Sequence, residues 1–145
     1  MSTISTLHDA VINRVSTTLS GHLRLSNPYQ LEQNPDRYLE QGYGVAFGGG
    51  INSDRQVACK LSMQREIVIS ITRRYLGQET DVTSKATLDK QLYEDQLLVI
   101  KDLYDNITEA PIKFVSDGGT EFIVSDKSNY LALRSTFQIE YFESI

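Results

Sequence analysis

The sequence predicts an α+β fold, with a mixed or antiparallel β-sheet, two main helices packed on one face and a protruding β-hairpin. An amphipathic helix opens the 145-residue chain, a second lies beyond its middle, and strand patterns fill much of the rest. Helices that are segregated from hairpin-linked strands are typical of α+β domains. The length fits one domain over residues 1–145, large enough to build its own core.

The first predicted element is a helix over residues 3–20. Gly21 stands where the C-terminal cap of a helix is expected. The polar region 22–41 contains Asn-Pro twice, at Asn27 and Asn34, which suits two short helical turns within a surface loop. The helix itself is indicated by apolar residues at helical spacing, which are Ile4, Leu7, Val11, Val15 and Leu19.

A glycine-rich segment separates the first two predicted strands. Residues 43–47 form a short strand, and Gly48, Gly49 and Gly50 then open a loop that reaches residue 54. Three consecutive glycines cost conformational entropy to order, so we expect this loop to be mobile in a free subunit. The next strand, residues 56–75, alternates apolar and polar residues over a length that calls for a bulge, a bend or a protruding hairpin.

A second helix is predicted over residues 85–106, and Pro111 ends it. Its apolar stripe is two rows wide, which is the width expected of a helix that lies on a sheet. The first row is Leu88, Leu92, Val99 and Leu103, and the second is Tyr93, Leu97, Ile100, Tyr104 and Ile107.

Three strands complete the predicted fold. Residues 112–115 and 120–124 flank Ser116-Asp117-Gly118-Gly119, a signal typical of a β-hairpin. The last strand alternates strictly from Leu133 to Tyr141. One of its faces is predicted to hold Leu133, Phe137, Ile139 and Tyr141, with Ser135 as the one polar member.

Composition narrows the classes of function. The net charge of −5 and the pI of about 5.0 argue against wrapping a nucleic acid, which needs a basic surface, whereas DNA can pass an acidic wall without sticking. The single cysteine, Cys59, excludes an internal disulfide and is expected to act as a small hydrophobe in a strand. With no apolar run near ~20 residues and no secretory signal pattern, we expect cytoplasmic synthesis and no membrane partner.

No catalytic, cofactor or metal site is predicted. The glycines of residues 42–50 match neither the dinucleotide fingerprint nor a phosphate-binding loop. His8, His22 and Cys59 do not have the spacing of a metal site, and no Gly-x-Ser-x-Gly elbow is present. The charged residues of the second helix, which include Lys90, Glu94, Asp95 and Lys101, are interpreted as a solvated face.

The predicted contact residues include members of one basic cluster. Arg73 and Arg74 lie near the end of the long predicted strand, where arginines belong either to an exposed sheet edge or to a subunit interface. Arg65 and Arg73 are expected on the same side of that strand as its isoleucines. We predict contacts with other subunits or with a tube through Gly48, Gly49, Gly50, Ile51, Asn52, Arg73 and Arg74.

In layout, the chain resembles the tail-terminator, or tail-completion, proteins of long-tailed bacteriophages. The resemblance rests on the helix of residues 3–19, the Pro-containing loop of residues 27–36, a hairpin, a helix on the sheet and the closing strand Thr136–Tyr141. It implies a homo-oligomeric, usually hexameric ring in the neck of the virion. The ring would cap the tail tube and join it to the head-completion or connector protein, with viral DNA passing through. It implies no catalytic residues.

Two alternatives stay open at this point. One is a head-closure or neck component on the capsid side of the same joint. The other is a small ligand-binding or enzymatic α+β domain whose site a single sequence does not reveal. A closed apolar pocket with convergent polar groups would favour the ligand-binding alternative.

Overall fold

The computed structural model describes residues 3–26, 41–57, 60–74, 82–106, 113–125 and 130–144. Within them lie two helices and five strands, so the α+β prediction is confirmed. The doubled Asn-Pro segment, Cys59 and Pro111 lie outside the described residues. The elements in chain order are α1 (Thr3–Thr18), β1 (Leu23–Arg24), β2 (Gln41–Val57), β3 (Lys60–Arg74), α2 (Val82–Asn106), β4 (Lys113–Ser125) and β5 (Tyr130–Ser144).

The strands form one mixed sheet in the order β1-β2-β3-β5-β4. Only the short β1 runs parallel to its neighbour, and the other three pairings are antiparallel. β3 and β5 pair without interruption from Lys60 opposite Ser144 to Arg74 opposite Tyr130. The predicted hairpin is present as β2 and β3, and β5 accompanies β3 over its whole length.

Both helices pack on the same face of the sheet, as predicted. The core between them is continuous, and each helix contributes the apolar row expected from its spacing. On the sheet, the predicted apolar face of β5 is buried, including its polar member Ser135. The principal core residues are Leu7, Val11, Val15, Leu19, Leu92, Val99, Leu103, Ile67, Ile69, Ile71, Leu133, Phe137, Ile139 and Tyr141.

The predicted loop over residues 48–54 is wrong, because these residues continue β2. Gly50, Ile51 and Asn52 pair with Arg65, Gln64 and Met63 of β3. The pairing skips residues at two points, between Phe47 and Gly50 and between Asn52 and Gln56. Extra residues in one strand can be accommodated as bulges that keep the flanking pairs. The glycines therefore lie within a continuous strand whose pairing with β3 shifts in register. The long predicted strand accordingly starts at Lys60 instead of at residue 56.

The predicted hairpin around Ser116-Asp117-Gly118-Gly119 is also wrong. Residues on both sides of these glycines pair with β5, with Asp117 opposite Phe137 and Gly119 opposite Thr136. β5 is long enough to pair with both halves of β4, so the backbone hydrogen bonds are made without a turn. The extra residues appear as two irregularities in the ladder.

Smaller differences concern the helices. α1 ends at Thr18, two residues before the predicted end, and α2 begins at Val82, three residues before the predicted start. Neither described helix has the length and apolar character needed to cross a membrane.

We predict that alanine at Ile69 or at Ile139 lowers the free energy of unfolding by roughly 2–5 kcal/mol, because each is fully buried and its loss leaves a cavity. Gln138→Ala, on the other face of β5 and half-buried, is the control and should change stability by about 0.5 kcal/mol or less. Urea unfolding of the three variants measures this. A larger effect at Gln138 than at Ile139 would contradict the strand register.

Candidate assembly surface

The predicted contact segment Gly48–Asn52 lies in β2, between and around the two register shifts in its pairing with β3. A Cβ at position 48 would lie 3.0 Å from Oε2 and 3.2 Å from Cβ of Glu66. Glycine therefore allows β2 to approach the Glu66 side chain closely. Within the described ranges, β1 is the only strand beside β2 on this side, and it pairs only with Gly42 and Tyr43. The backbone edge of β2 beyond Tyr43 has no strand neighbour there.

Arg65 fixes the start of this bulged segment. Its Nη1 donates a hydrogen bond to the carbonyl oxygen of Gly48 at 3.0 Å, and its Nε donates to the hydroxyl of Tyr141 at 3.2 Å. One side chain of β3 thus links the bulge of β2 to β5. The sequence placed Arg65 on the apolar side of its strand, and the contact with buried Tyr141 agrees with that placement.

Arg73 and Arg74 have different surroundings. Arg73 donates from Nε and Nη2 to Oδ2 of Asp95, at 3.2 and 3.0 Å, so its guanidinium is engaged inside the chain by α2. Arg74 is the last residue of β3 and pairs with Tyr130. The structure therefore separates the two arginines from the Gly48–Asn52 segment. Their role in subunit contacts stays a prediction.

Asp95 is the centre of a largely buried polar cluster. Its Oδ2 lies 3.4 Å from the buried Nε2 of His22, without the geometry of a hydrogen bond. Nδ1 of His22 lies 3.4 Å from the side-chain Nε2 of Gln41. The cluster thus connects the segment after α1 to α2 and to two strands. Among the described residues, no group of three or more His, Cys, Asp or Glu side chains could hold a metal.

The environment of Asp95 holds its carboxylate in the charged form. Burial alone would raise the pKa of Asp95, but the contacts with His22 and Arg73 outweigh burial and lower the pKa below its usual value. The predicted solvated face that includes Glu94 and Asp95 is wrong for Asp95, which is buried, whereas Glu94 is exposed. Successive helical residues differ by about 100° in direction, so one of these neighbours can face the core while the other is exposed.

Two further polar contacts hold α1. Arg14 pairs with Asp102 of α2, with a distance of 2.9 Å from Nε to Oδ2, and this pairing lowers the pKa of Asp102. Oε1 of Glu143, near the end of β5, accepts a hydrogen bond from the backbone nitrogen of Ile4 at 2.7 Å. A carboxylate at the N-terminus of a helix satisfies a free N–H and interacts favourably with the helix dipole.

A small space lies between α2 and the sheet. It is lined by apolar residues with Gln96 and Ser135. Gln96 bridges this region by donating to the hydroxyls of Ser135 and Thr120, at 2.6 and 2.9 Å. The space is too narrow for a water molecule and smaller than the roughly 300–1,000 Å³ of typical ligand pockets. It does not favour the ligand-binding alternative.

The outer face of α2, defined here as Tyr93, Leu97 and Tyr104, is the most apolar exposed feature that the described residues show. The exposed fractions are 51%, 50% and 50%. Leu98 is 54% exposed but points about 100° or more away from these three around the helix. The predicted placement of Tyr93, Leu97 and Tyr104 against the sheet is wrong, because all three are exposed. The sheet covers the first apolar row and part of Ile100, and no further layer lies outside it among the described elements.

Comparisons with known proteins give limited information. No family model matches the chain, and no curated protein matches it in sequence. A chain in the virion of a native gene transfer agent (GTA) particle is similar in structure, with 11% sequence identity, a TM-score of 0.44 and coverage of 92% of each chain. A likeness at this level supports no conclusion about function.

We predict that Asp95→Asn destabilises the protein by about 1–3 kcal/mol at pH 7, because a buried charge-assisted network loses its anion. The folded state lowers the pKa of Asp95, so the ionised carboxylate stabilises the fold above about pH 4 and this contribution is lost as the pH falls. Urea unfolding at pH 7 and pH 3 should show that the difference from the wild type shrinks. Exposed Asp9→Asn on α1 is the control, and a difference independent of pH would contradict this account.

Proposed function

We propose that this chain is a structural virion protein that acts as a tail terminator. Six copies form a ring that caps the tail tube and joins the tail to the head-completion or connector protein. The observation that carries the assembly role is the outer face of α2. Tyr93, Leu97 and Tyr104 lie on one stripe of the helix and are each about half exposed. Clustered exposed apolar side chains often mark an interaction site.

The order of the elements supports the choice of tail terminator. The resemblance implies an opening helix, a β-hairpin, a helix on the sheet and a closing strand. The structure has α1, the β2–β3 hairpin, α2 on the sheet and β5 in that order. Among the described residues, both helices lie on one face of the single sheet, and contacts with other subunits are proposed at the edge of β2 and on the exposed side of α2.

The bulged edge of β2 is the proposed site of contact with the tail tube or an adjacent subunit. Gly48, Gly49, Gly50, Ile51 and Asn52 lie in this edge. A strand edge presents backbone N–H and C=O groups to an incoming chain. The head-to-tail contacts of a ring need two different surfaces on each subunit, and this edge supplies one of them.

The acidic charge of the chain suits a passage for DNA. A net charge of −5 gives viral DNA little to adhere to, so the ring would let it pass without specific binding. The proposal includes no enzymatic step, no cofactor and no membrane. Its location is the neck of the virion, after synthesis in the host cytoplasm.

The ring is tested by electron microscopy of the purified protein mixed with tail tubes from its parent particle. We expect closed rings with six-fold symmetry at one end of each tube, labelled by an antibody against this chain. Label on the capsid side of the joint would favour the head-closure alternative. A monomer inside the assembled particle, or no label on the virion, would rule out the proposed function.

A further inference from the structure

We propose that the outer face of α2 pairs antiparallel with the same face of a second copy of this chain. The apolar residues of this side of α2 follow a regular pattern. Tyr93, Leu97, Ile100 and Tyr104 are separated by four, three and four residues, which is the spacing of a coiled-coil seam. Ile100 is partly buried against the core, and the other three are about half exposed. We call these four residues the α2 seam.

The charges beside the seam identify the partner as a second copy. Glu94 directly follows the seam residue Tyr93, and Lys101 directly follows Ile100. Both charged side chains are exposed. They therefore occupy equivalent places along the same flank of the seam. In an antiparallel pair of helices, equivalent flanks face each other. Glu94 of one copy then lies opposite Lys101 of the other, and the two-fold symmetry makes this contact twice.

The apolar contacts agree with the same arrangement. If Leu97 lies opposite Ile100 of the second copy, then Tyr93 lies opposite Tyr104. A single alignment of the two helices therefore pairs every seam residue with another seam residue. A parallel pair would instead place Glu94 and Lys101 opposite the flank of Gln96 and Leu103, where they meet no complementary charge. The other flank of the seam, at Gln96 and Leu103, is occupied by the sheet and the core. The free flank is thus the one that carries complementary charges.

The symmetry of this contact has a consequence for assembly that rests on the proposed function. Two copies related by a two-fold axis point in opposite directions, and such a contact cannot repeat around a ring that caps one end of a tube. The α2 pair therefore belongs to the free protein. Subunits must leave the pair before they enter a ring on the tail.

Sedimentation equilibrium of the full chain tests the pairing. We expect a reversible monomer–dimer equilibrium in the wild type. Glu94→Lys and Lys101→Glu should each weaken dimerisation about tenfold or more, because two attractive contacts become repulsive. Asp9→Lys, a charge reversal on α1 where the side chain is 70% exposed, is the control and should leave the dimer intact.

Charge-swap experiments distinguish the proposed geometry from a general loss of charge. An equimolar mixture of Glu94→Lys and Lys101→Glu should form a heterodimer, because each copy supplies the charge that the other needs. The double variant should recover self-association. Circular dichroism checks that every variant is folded. A monomeric wild type, single variants that still dimerise, or a mixture that stays monomeric would each overturn the proposal.

The same variants separate this inference from the proposed function. Rings on tail tubes with a wild type that never dimerises would overturn the α2 pair alone. Dimers that follow the charge rules, with no label on the virion, would support the pair and rule out the terminator. Leu97→Asp, which places a charge in the middle of the seam, should abolish the dimer. A dimer that survives this change would also overturn the proposal.

Discussion

The uninterrupted pairing of β3 with β5 determines how the rest of the chain is arranged. Its alternation places Ile67, Ile69 and Ile71 beside Leu133 and Phe137 on one face, and both helices cover that face. β2 and β4 add to the two outer sides of this pair. A slip of one residue between β3 and β5 would turn the apolar row of one strand to the opposite face from that of the other, so the register of this pair also fixes the position of the core.

Polar side chains at the periphery of this core hold the remaining elements. Asp95 joins α2 to β3 through Arg73, Arg65 joins β2 to β5, and Glu143 holds the start of α1. The side chains of Asp95, Arg65 and Glu143 are charged and at least partly buried. Their hydrogen bonds offset the free-energy cost of burying these charges. These contacts tie the helices and the outer strands to the central strand pair.

Local sequence patterns predicted most of the fold, whereas the features that were predicted wrongly depend on contacts between residues far apart in the sequence. The helices and the faces of β3 and β5 follow from spacing alone, as Ile69 and Ile139 show. The glycines of β2 and β4 read as turns because a local pattern cannot show that a long strand lies alongside and accepts a bulge. Asp95 was misplaced because His22 and Arg73 are remote in sequence, and the exposure of Leu97 depends on how much of α2 the sheet can cover.

The central strand pair also has a consequence for the order of folding during synthesis. β5 follows α2 and β4 in the chain, so the β2–β3 hairpin leaves the ribosome well before the strand that completes it. Until then β3 presents a long edge, and its later pairing with β5 has no irregularities. An edge of this kind can recruit other nascent chains. Once β5 is synthesised, it covers this edge of β3. Pairing of that edge with another chain is therefore a hazard during translation.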